Sequence, residues 1–254
     1  MISVETRPTG IQGLDELMNG GIPDGRVVLL VGGPGTGKTI FAAQFLYKGI
    51  KDHKENGVFV SLDENKRHFY SEMERFGWDF ASVEKDRKFA FIDATRATRT
   101  SMLKEDLYKE ETKSLKGKKL PIDRLVEDLQ NAIASVGAKR VVVDTLAALF
   151  YRFPDPVERR TAVVDLIESL SDLNKTTLIT TELEHLGLER NALEEEYLVH
   201  GVIMMQTIYS GGTTTRALAI EKMRGTKVDP NLVPYSIDRN GIEVFPRMPL
   251  FGEK

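Results

Sequence analysis

The 254-residue chain reads as an α/β protein: a mostly parallel sheet flanked by helices, with antiparallel strands at its C-terminal end. Three observations predict this. Strand-like and helix-like stretches alternate through most of the chain. Val27-Val28-Leu29-Leu30-Val31 is a continuous apolar run of the kind buried on both faces, and a glycine-rich turn and a helical stretch over 40–47 follow it. Beyond residue 201 the strands succeed one another with only turn residues between them, Gly211-Gly212 and Asn240-Gly241. The second of these is a strong hairpin signal.

The elements follow in order. Strands are expected at 27–32, 57–62, 89–93, 140–144, 176–181 and 201–206, then at 215–223, 233–237 and 242–246. Pro23-Asp24-Gly25 turns the chain into the first strand, and Asn56-Gly57 marks the entry to the second. Residues 96–119 break the pattern, being rich in Lys, Glu, Arg and Thr with few apolar positions. That composition predicts a solvated, mobile excursion, with a partner-docking arm as the sharper alternative. After Pro121, the spacing of Ile122, Leu125, Val126, Leu129 and Ile133 predicts a helix. The whole chain, 1–254, is expected to form one domain.

The bulk numbers exclude several chemistries. The chain has no cysteine, so disulfides, thiol catalysis and zinc–thiolate sites are ruled out. The formal net charge is −3, which gives no global reason to expect a polyanionic partner. The N-terminal stretch has no apolar h-region and no run is long enough to span a membrane, so a cytoplasmic protein is the expectation. His53, His68, His185 and His200 lack metal-ligand spacing.

Gly32-Gly33-Pro34-Gly35-Thr36-Gly37-Lys38-Thr39 follows the first long strand and carries the chemistry. It has the form G-x-x-x-x-G-K-T, the phosphate-binding P-loop, or Walker A motif. Its glycines let the backbone turn tightly and aim N–H groups at phosphate oxygens. Lys38 reaches the β- and γ-phosphates, and the Thr39 hydroxyl ligates Mg²⁺. Ile40 continues the loop into the helix whose N-terminus favours anions. Gly33, Pro34, Gly35, Thr36, Gly37, Lys38, Thr39 and Ile40 are therefore the candidate nucleotide-binding residues.

Arg140-Val141-Val142-Val143-Asp144 is an apolar strand ending in a carboxylate, the Walker B pattern, in which Asp144 holds Mg²⁺ through water. Asp63-Glu64 ends another strand. Either acid can orient or deprotonate an attacking water, and equally either can serve a helix start. Lys222 and Arg224 flank Met223, so both cations share one strand face, facing either phosphate or solvent. Thr213-Thr214-Thr215 beside Gly211-Gly212 reads as a polar hairpin turn.

In this order, the motifs resemble the KaiC-type branch of the RecA/RadA ATPase superfamily over nearly the whole chain. The entry segment Thr9-Gly10-Ile11 with Leu14-Asp15-Glu16-Leu17 and Gly20-Gly21-Ile22-Pro23 matches the family. So do the P-loop, Phe76-Gly77-Trp78-Asp79, Ala138-Lys139-Arg140 leading to Asp144, and Lys222-Met223-Arg224-Gly225-Thr226. The resemblance implies a RecA-like P-loop NTPase core that binds ATP or ADP with Mg²⁺ and assembles with itself as a ring, typically a hexamer. Lys222 and Arg224 would reach the γ-phosphate of a neighbour's ATP. Thr226, Asp238 and Arg239 would lie near that neighbouring nucleotide, and Arg75 near the base in its own subunit. Two departures matter. The family's Glu-Glu pair is Asp63-Glu64 here, one methylene shorter at the expected base. The Ser-Thr pair that the family's clock protein autophosphorylates matches Glu196-Tyr197, so autokinase activity is not supported.

The leading functional expectation is a Mg²⁺-dependent ATPase with Lys38, Asp63, Glu64, Lys222 and Arg224 in catalytic roles, acting on an unidentified protein client. One alternative is a nucleotide-gated scaffold with negligible hydrolysis, which the Asp63 departure motivates. Another is a recombinase-like DNA-binding ATPase. The acidic run Glu182, Glu184, Glu189, Glu194, Glu195 and Glu196 has the wrong sign for a phosphate backbone. Tyr151-Arg152-Phe153 with Arg159 and Arg160 is more permissive: these residues either stack bases or form a packed turn. Nucleic acid is the less favoured partner, and a small-molecule kinase ranks last.

Overall fold

The computed structural model describes residues 5–95, 121–183, 192–210, 212–248 and 250. The charged excursion at 96–119 lies outside them, as do His185, Glu184 and Glu189 of the acidic run.

A two-stranded ribbon of β1 (Thr6–Arg7) and β2 (Ile22–Pro23) leads in. β3 (Val27–Gly32) is buried at all six positions and runs through the P-loop into α1 (Lys38–Asp52). β4 (Gly57–Ser61), α2 (Lys66–Met73), α3 (Phe80–Lys85) and β5 (Phe89–Asp93) follow. Then come α4 (Pro121–Val136), β6 (Arg140–Asp144), α5 (Ala147–Arg152), α6 (Pro156–Asp172) and β7 (Thr176–Glu182). The chain closes with α7 (Glu194–Leu198), β8 (Gly201–Ser210), β9 (Thr213–Met223), β10 (Val233–Asp238) and β11 (Gly241–Val244).

Among the described residues, nine strands form one sheet in the order β11-β10-β9-β8-β3-β7-β6-β4-β5. β3 to β8 are mutually parallel, and β9, β10 and β11 are added by antiparallel pairing, as the turn residues predict. Because the parallel strands alternate their side chains, they feed two cores. One face packs Val28, Leu30, Val142 and Ile203 against Phe41 and Phe45 of α1 and Phe69 of α2. The other packs Val27, Leu29, Val31 and Val143 against Leu129 of α4 and Leu166 and Leu170 of α6. Covering both faces explains the apolar runs at 27–31, 58–60 and 141–143.

The Asn240-Gly241 hairpin forms, though its two-residue loop is Arg239-Asn240, because Asp238 pairs with Gly241. Gly241 is required there by close approach. At φ 109°, a β-carbon would sit 2.3 Å from Gln44 Oε1 and 2.7 Å from Trp78. The Phe76-Gly77-Trp78-Asp79 tetrad is thereby locked to the hairpin. Trp78 stacks on Phe76 and Tyr47, and Asp79 caps α3 through the Ser82 N–H at 2.8 Å.

A buried ion network ties the N-terminal segment to the sheet. Arg140 is fully buried; it donates to Glu55 Oε2 through Nε at 2.7 Å and to the Phe45 carbonyl at 2.9 Å. Glu55 also pairs with Arg7, which forks onto Asp24. Replacing Glu55 leaves the Arg140 guanidinium in the interior without its counter-charge. Glu55→Ala is expected to lower unfolding free energy by about 3–5 kcal/mol in denaturant titration. A change below about 1 kcal/mol would mean that the pair contributes no more than a surface bridge.

Candidate nucleotide site

The P-loop is built by the meeting of β3 and α1. Gly37 caps the helix in the left-handed region, φ 93°, and a β-carbon there would lie 2.6 Å from Ile237 Cδ1. Only glycine permits both that turn and the approach of β10. The Thr36 hydroxyl donates to the Gly33 carbonyl at 2.8 Å, and Tyr235 Oη of β10 donates to the Thr36 carbonyl at 2.6 Å. The first turn of α1 holds no acidic side chain. Its N–H groups lack intrahelical partners and its positive dipole end is not neutralised, which makes an anion seat. Lys38 folds back over the loop, with Nζ donating to the Gly32 and Gly33 carbonyls at 2.9 and 3.2 Å. Pro34 and Gly35 are exposed at the loop tip, and Ile40 is half-buried behind it.

Asp144, at the end of β6, is buried beneath this loop. Thr39 Oγ1 donates to its Oδ2 at 2.9 Å, and the Thr180 hydroxyl of β7 donates to Oδ1. Burial pushes the Asp144 pKa up, against the two hydroxyls and Lys38, which favour its anion. A hydroxyl and a carboxylate in contact, both hard oxygen donors at a helix N-terminus, fit Mg²⁺, which takes only one or two protein ligands beside phosphate and water. Among the described residues no cluster of three His, Cys, Asp or Glu suits a metal held by protein alone.

Asp63 and Glu64 follow β4, one strand beyond β6. Desolvation first, then the charge of Asp144, pushes Asp63 up to about 6. Desolvation, then Glu72 and Asp63, pushes Glu64 up to about 7. Burial lowers the Lys38 ammonium, while the carboxylates of Glu182, Asp144 and Asp63, in that order, oppose the shift. Sheet order thus brings Lys38, Thr39, Asp144, Asp63 and Glu64 to one end of the parallel strands, the crevice where ligands bind in open α/β sheets.

Lys222 and Arg224 are not brought there. Lys222 pairs with Val202, which lies level with Leu29, and the Arg224 N–H donates to the His200 carbonyl beside Val27. Five residues of strand, about 17 Å, separate Val27 from Gly32, so Arg224 stands at the opposite end of the sheet from the P-loop; Lys222, level with Leu29, is three residues or about 10 Å from Gly32. Lys222 Nζ donates to the Glu196 and Val199 carbonyls, each at 2.8 Å, and Arg224 is exposed. Thr226 Oγ1 donates to the Met18 carbonyl at 3.2 Å on the entry segment. Burial and then Arg26, Arg224 and Lys222 lower the His200 pKa, which marks this end of the sheet as cationic.

Asp238 and Arg239 separate from that group. They tip the hairpin whose strand β10 touches the chain's own P-loop through Ile237 and Tyr235, whereas the sequence reading put them with Lys222 and Arg224 beside a neighbour's nucleotide. The reason is the β9–β10 reversal, which carries β10 back along the parallel direction past Gly32. Arg75 is exposed on the turn before Phe76. Arg159 donates to the carbonyls of Phe153 and Pro154 at 3.2 Å each and lies over Phe150; Arg160 pairs with Glu194. That is the packed-turn alternative for this segment.

Thr180, Tyr235 and Arg26 escaped the sequence reading, and Glu182 was read there only as part of the acidic run. The polar run Thr180-Thr181-Glu182 closing a strand whose middle, Leu178-Ile179, is apolar was the available signal for Thr180 and Glu182.

Comparison with known proteins places the site in context. The family model described as ATPase: KaiC matches residues 7–248. The UPF0273 protein of Methanocaldococcus jannaschii is 37% identical over 240 residues, covering 94% of this chain and 95% of that protein. The circadian clock oscillator protein KaiC of a Picosynechococcus strain is 33% identical over 240 residues. That match covers 94% of this chain and 44% of the clock protein, so the chain spans less than half its length. The crystal structure of a KaiC-like protein from Pyrococcus horikoshii superposes with a TM-score of 0.80 at 34% identity, over 96% of this chain and all of that one.

Proposed function

The chain belongs to the KaiC family of ATPase domains, and from that premise we propose that it hydrolyses ATP with Mg²⁺ at sites completed by a second copy of the chain. The whole chain then acts as one such domain. The observation that carries the reading is the meeting of Thr39, Asp144 and Lys38 around one helix N-terminus. The backbone N–H groups of residues 33–39 and Lys38 bind the phosphates, and Thr39 and Asp144 hold the metal, which when bound neutralises phosphate charge. Arg75 flanks the base, and Asp238 and Arg239 close over the nucleotide from the hairpin. Asp63 and Glu64 orient the water that attacks the γ-phosphorus in line with the departing ADP oxygen.

Arg224 cannot serve the same chain's nucleotide from the far end of the sheet, and the Lys222 ammonium is held by the Glu196 and Val199 carbonyls. Their position supports a head-to-tail ring in which they stabilise the transition state in the neighbour's site. Thr226 belongs to that same edge. Turnover therefore depends on assembly. Measured per chain against protein concentration, with mass in solution followed in parallel, turnover is expected to rise as the oligomer forms. Full activity in a stable monomer would overturn this reading.

The scaffold is the second reading, because Asp63 stands one methylene short of the glutamate that the family places at the expected base. An ATP-dependent change in mass without phosphate release would select it. The DNA-binding reading is the less favoured one, because Arg159 is held against Phe150 and the Phe153 and Pro154 carbonyls within the chain.

A further inference from the structure

β7 lies between the P-loop strand and the strand of Asp144, and its last residue is Glu182. Glu182 pairs with Gly32, the residue that opens the P-loop. The Leu183 N–H donates to the Gly32 carbonyl at 3.2 Å, and the same oxygen accepts from Lys38 Nζ at 2.9 Å. The backbone beside Glu182 and the catalytic ammonium thus share one acceptor atom. Side chains alternate along a strand, so Glu182 lies on the same face as Thr180, whose hydroxyl binds Asp144. Val143 pairs with Ile179, which sets Asp144 level with Thr180, and Glu182 stands two residues further, about 7 Å towards the open side of the cleft. It is exposed and, among the described residues, makes no side-chain hydrogen bond or ion pair. Of the three carboxylates that act on Lys38, Glu182 acts most strongly.

We propose that Glu182 is a further catalytic residue, a carboxylate at the γ-phosphate end of the chain's own site that accepts a hydrogen bond from the attacking water. The inference rests on the ATPase reading above. Two anions repel, so a carboxylate beside the triphosphate acts through an intervening water rather than by direct contact. Its place beyond the Thr39–Asp144 pair sets it apart from the metal ligands. In the step, the water oxygen bonds to the γ-phosphorus while the bond from that phosphorus to the β–γ bridging oxygen breaks. ADP leaves with the bridging oxygen, one water proton passes by way of the Asp63–Glu64 base to the phosphate product, and Glu182 accepts the hydrogen bond of the other.

Glu182→Gln tests this in the full-length, assembled protein. Turnover is expected to fall about 10²-fold, with the half-saturating Mg²⁺ concentration within twofold of wild type and the KM for ATP not raised. With one anion removed from the γ-phosphate end, affinity for a slowly hydrolysed ATP analogue relative to ADP is expected to rise about three- to tenfold. Glu182→Asp should recover part of the turnover, and an unchanged melting temperature excludes a folding defect. Unchanged turnover overturns the proposal, as does lost turnover with an unchanged analogue-to-ADP ratio. A shifted Mg²⁺ requirement overturns it in favour of a role on the metal. A wild-type chain that binds nucleotide without hydrolysing it overturns the ATPase reading and the catalytic role together. The analogue-to-ADP ratio then still reports whether Glu182 faces the γ-phosphate.

Discussion

Arg224→Ala is expected to lower ATP turnover about 10³-fold without weakening nucleotide binding, because the lost charge acts only in the transition state of another subunit's site. The distinguishing experiment is complementation. Lys38→Ala disables a chain's own P-loop yet leaves its Arg224 intact, and Arg224→Ala does the reverse. Each variant alone is inactive. Mixed in equal amounts and allowed to exchange, they form interfaces at which an intact P-loop meets an intact Arg224. In a head-to-tail assembly with random mixing, about a quarter of the interfaces are of that kind, whatever the ring size. About a quarter of wild-type turnover should therefore return. If assembly needs bound nucleotide, the double variant Asp63→Asn, Glu64→Gln replaces Lys38→Ala as the partner. No recovery on mixing, with exchange verified by mass, would place Arg224 outside the chemistry. The separation of Arg224 from its own P-loop by the length of β3 makes the test sharp, since no small motion within one chain closes that gap.

Turnover is also expected to fall with pH as the mixture is taken below about 7, by close to tenfold per unit once the base is protonated. The acids responsible are Glu64 and Asp63, raised to about 7 and about 6. The variant among Asp63→Asn and Glu64→Gln that loses about 10²- to 10⁴-fold in turnover and flattens the acid limb identifies the base. Stability moves the opposite way. In the unfolded chain these carboxyls titrate near 4. Below that both are protonated in either state and contribute nothing. As pH rises from about 4 to about 7 the unfolded chain releases their protons first, so folding stability declines and stays lower above 7. Asp63→Asn should therefore raise the melting temperature of the ligand-free protein at pH 7.5 and leave it unchanged at pH 4. A pH-independent turnover, or a melting temperature lowered at pH 7.5, would show that neither acid carries the raised pKa into function.

The strands were legible because each is a local fact. A strand buried on both faces is largely apolar, and 27–32, 57–61 and 140–144 were found within a residue of where that rule put them; the edge strand 89–93 was found as well, though only Phe89 in it is buried. The P-loop was legible for the same reason: Gly37, Lys38 and Thr39 meet a steric and chemical demand within eight residues. Asn240-Gly241 shows the limit of local reading. The hairpin is there, yet the glycine is needed for contact with Gln44 and Trp78, residues distant in sequence.

The sequence alone therefore determined the alternation of elements, the phosphate loop, the acid at the end of β6 and the family these imply, all carried by residue type at short spacing. The tertiary structure alone decided which strand ends share the crevice. The β3-β7-β6-β4 order sets Glu182 and Thr180 between Lys38 and Asp144, and no spacing along the chain encodes that adjacency. It decided, too, that Lys222 and Arg224 face away from their own phosphate loop while the tip at Asp238 and Arg239 turns towards it. Strand order and direction are set by how two apolar faces are covered and how the chain reverses at its edge. That is a property of the whole packed sheet, not of any one motif within it.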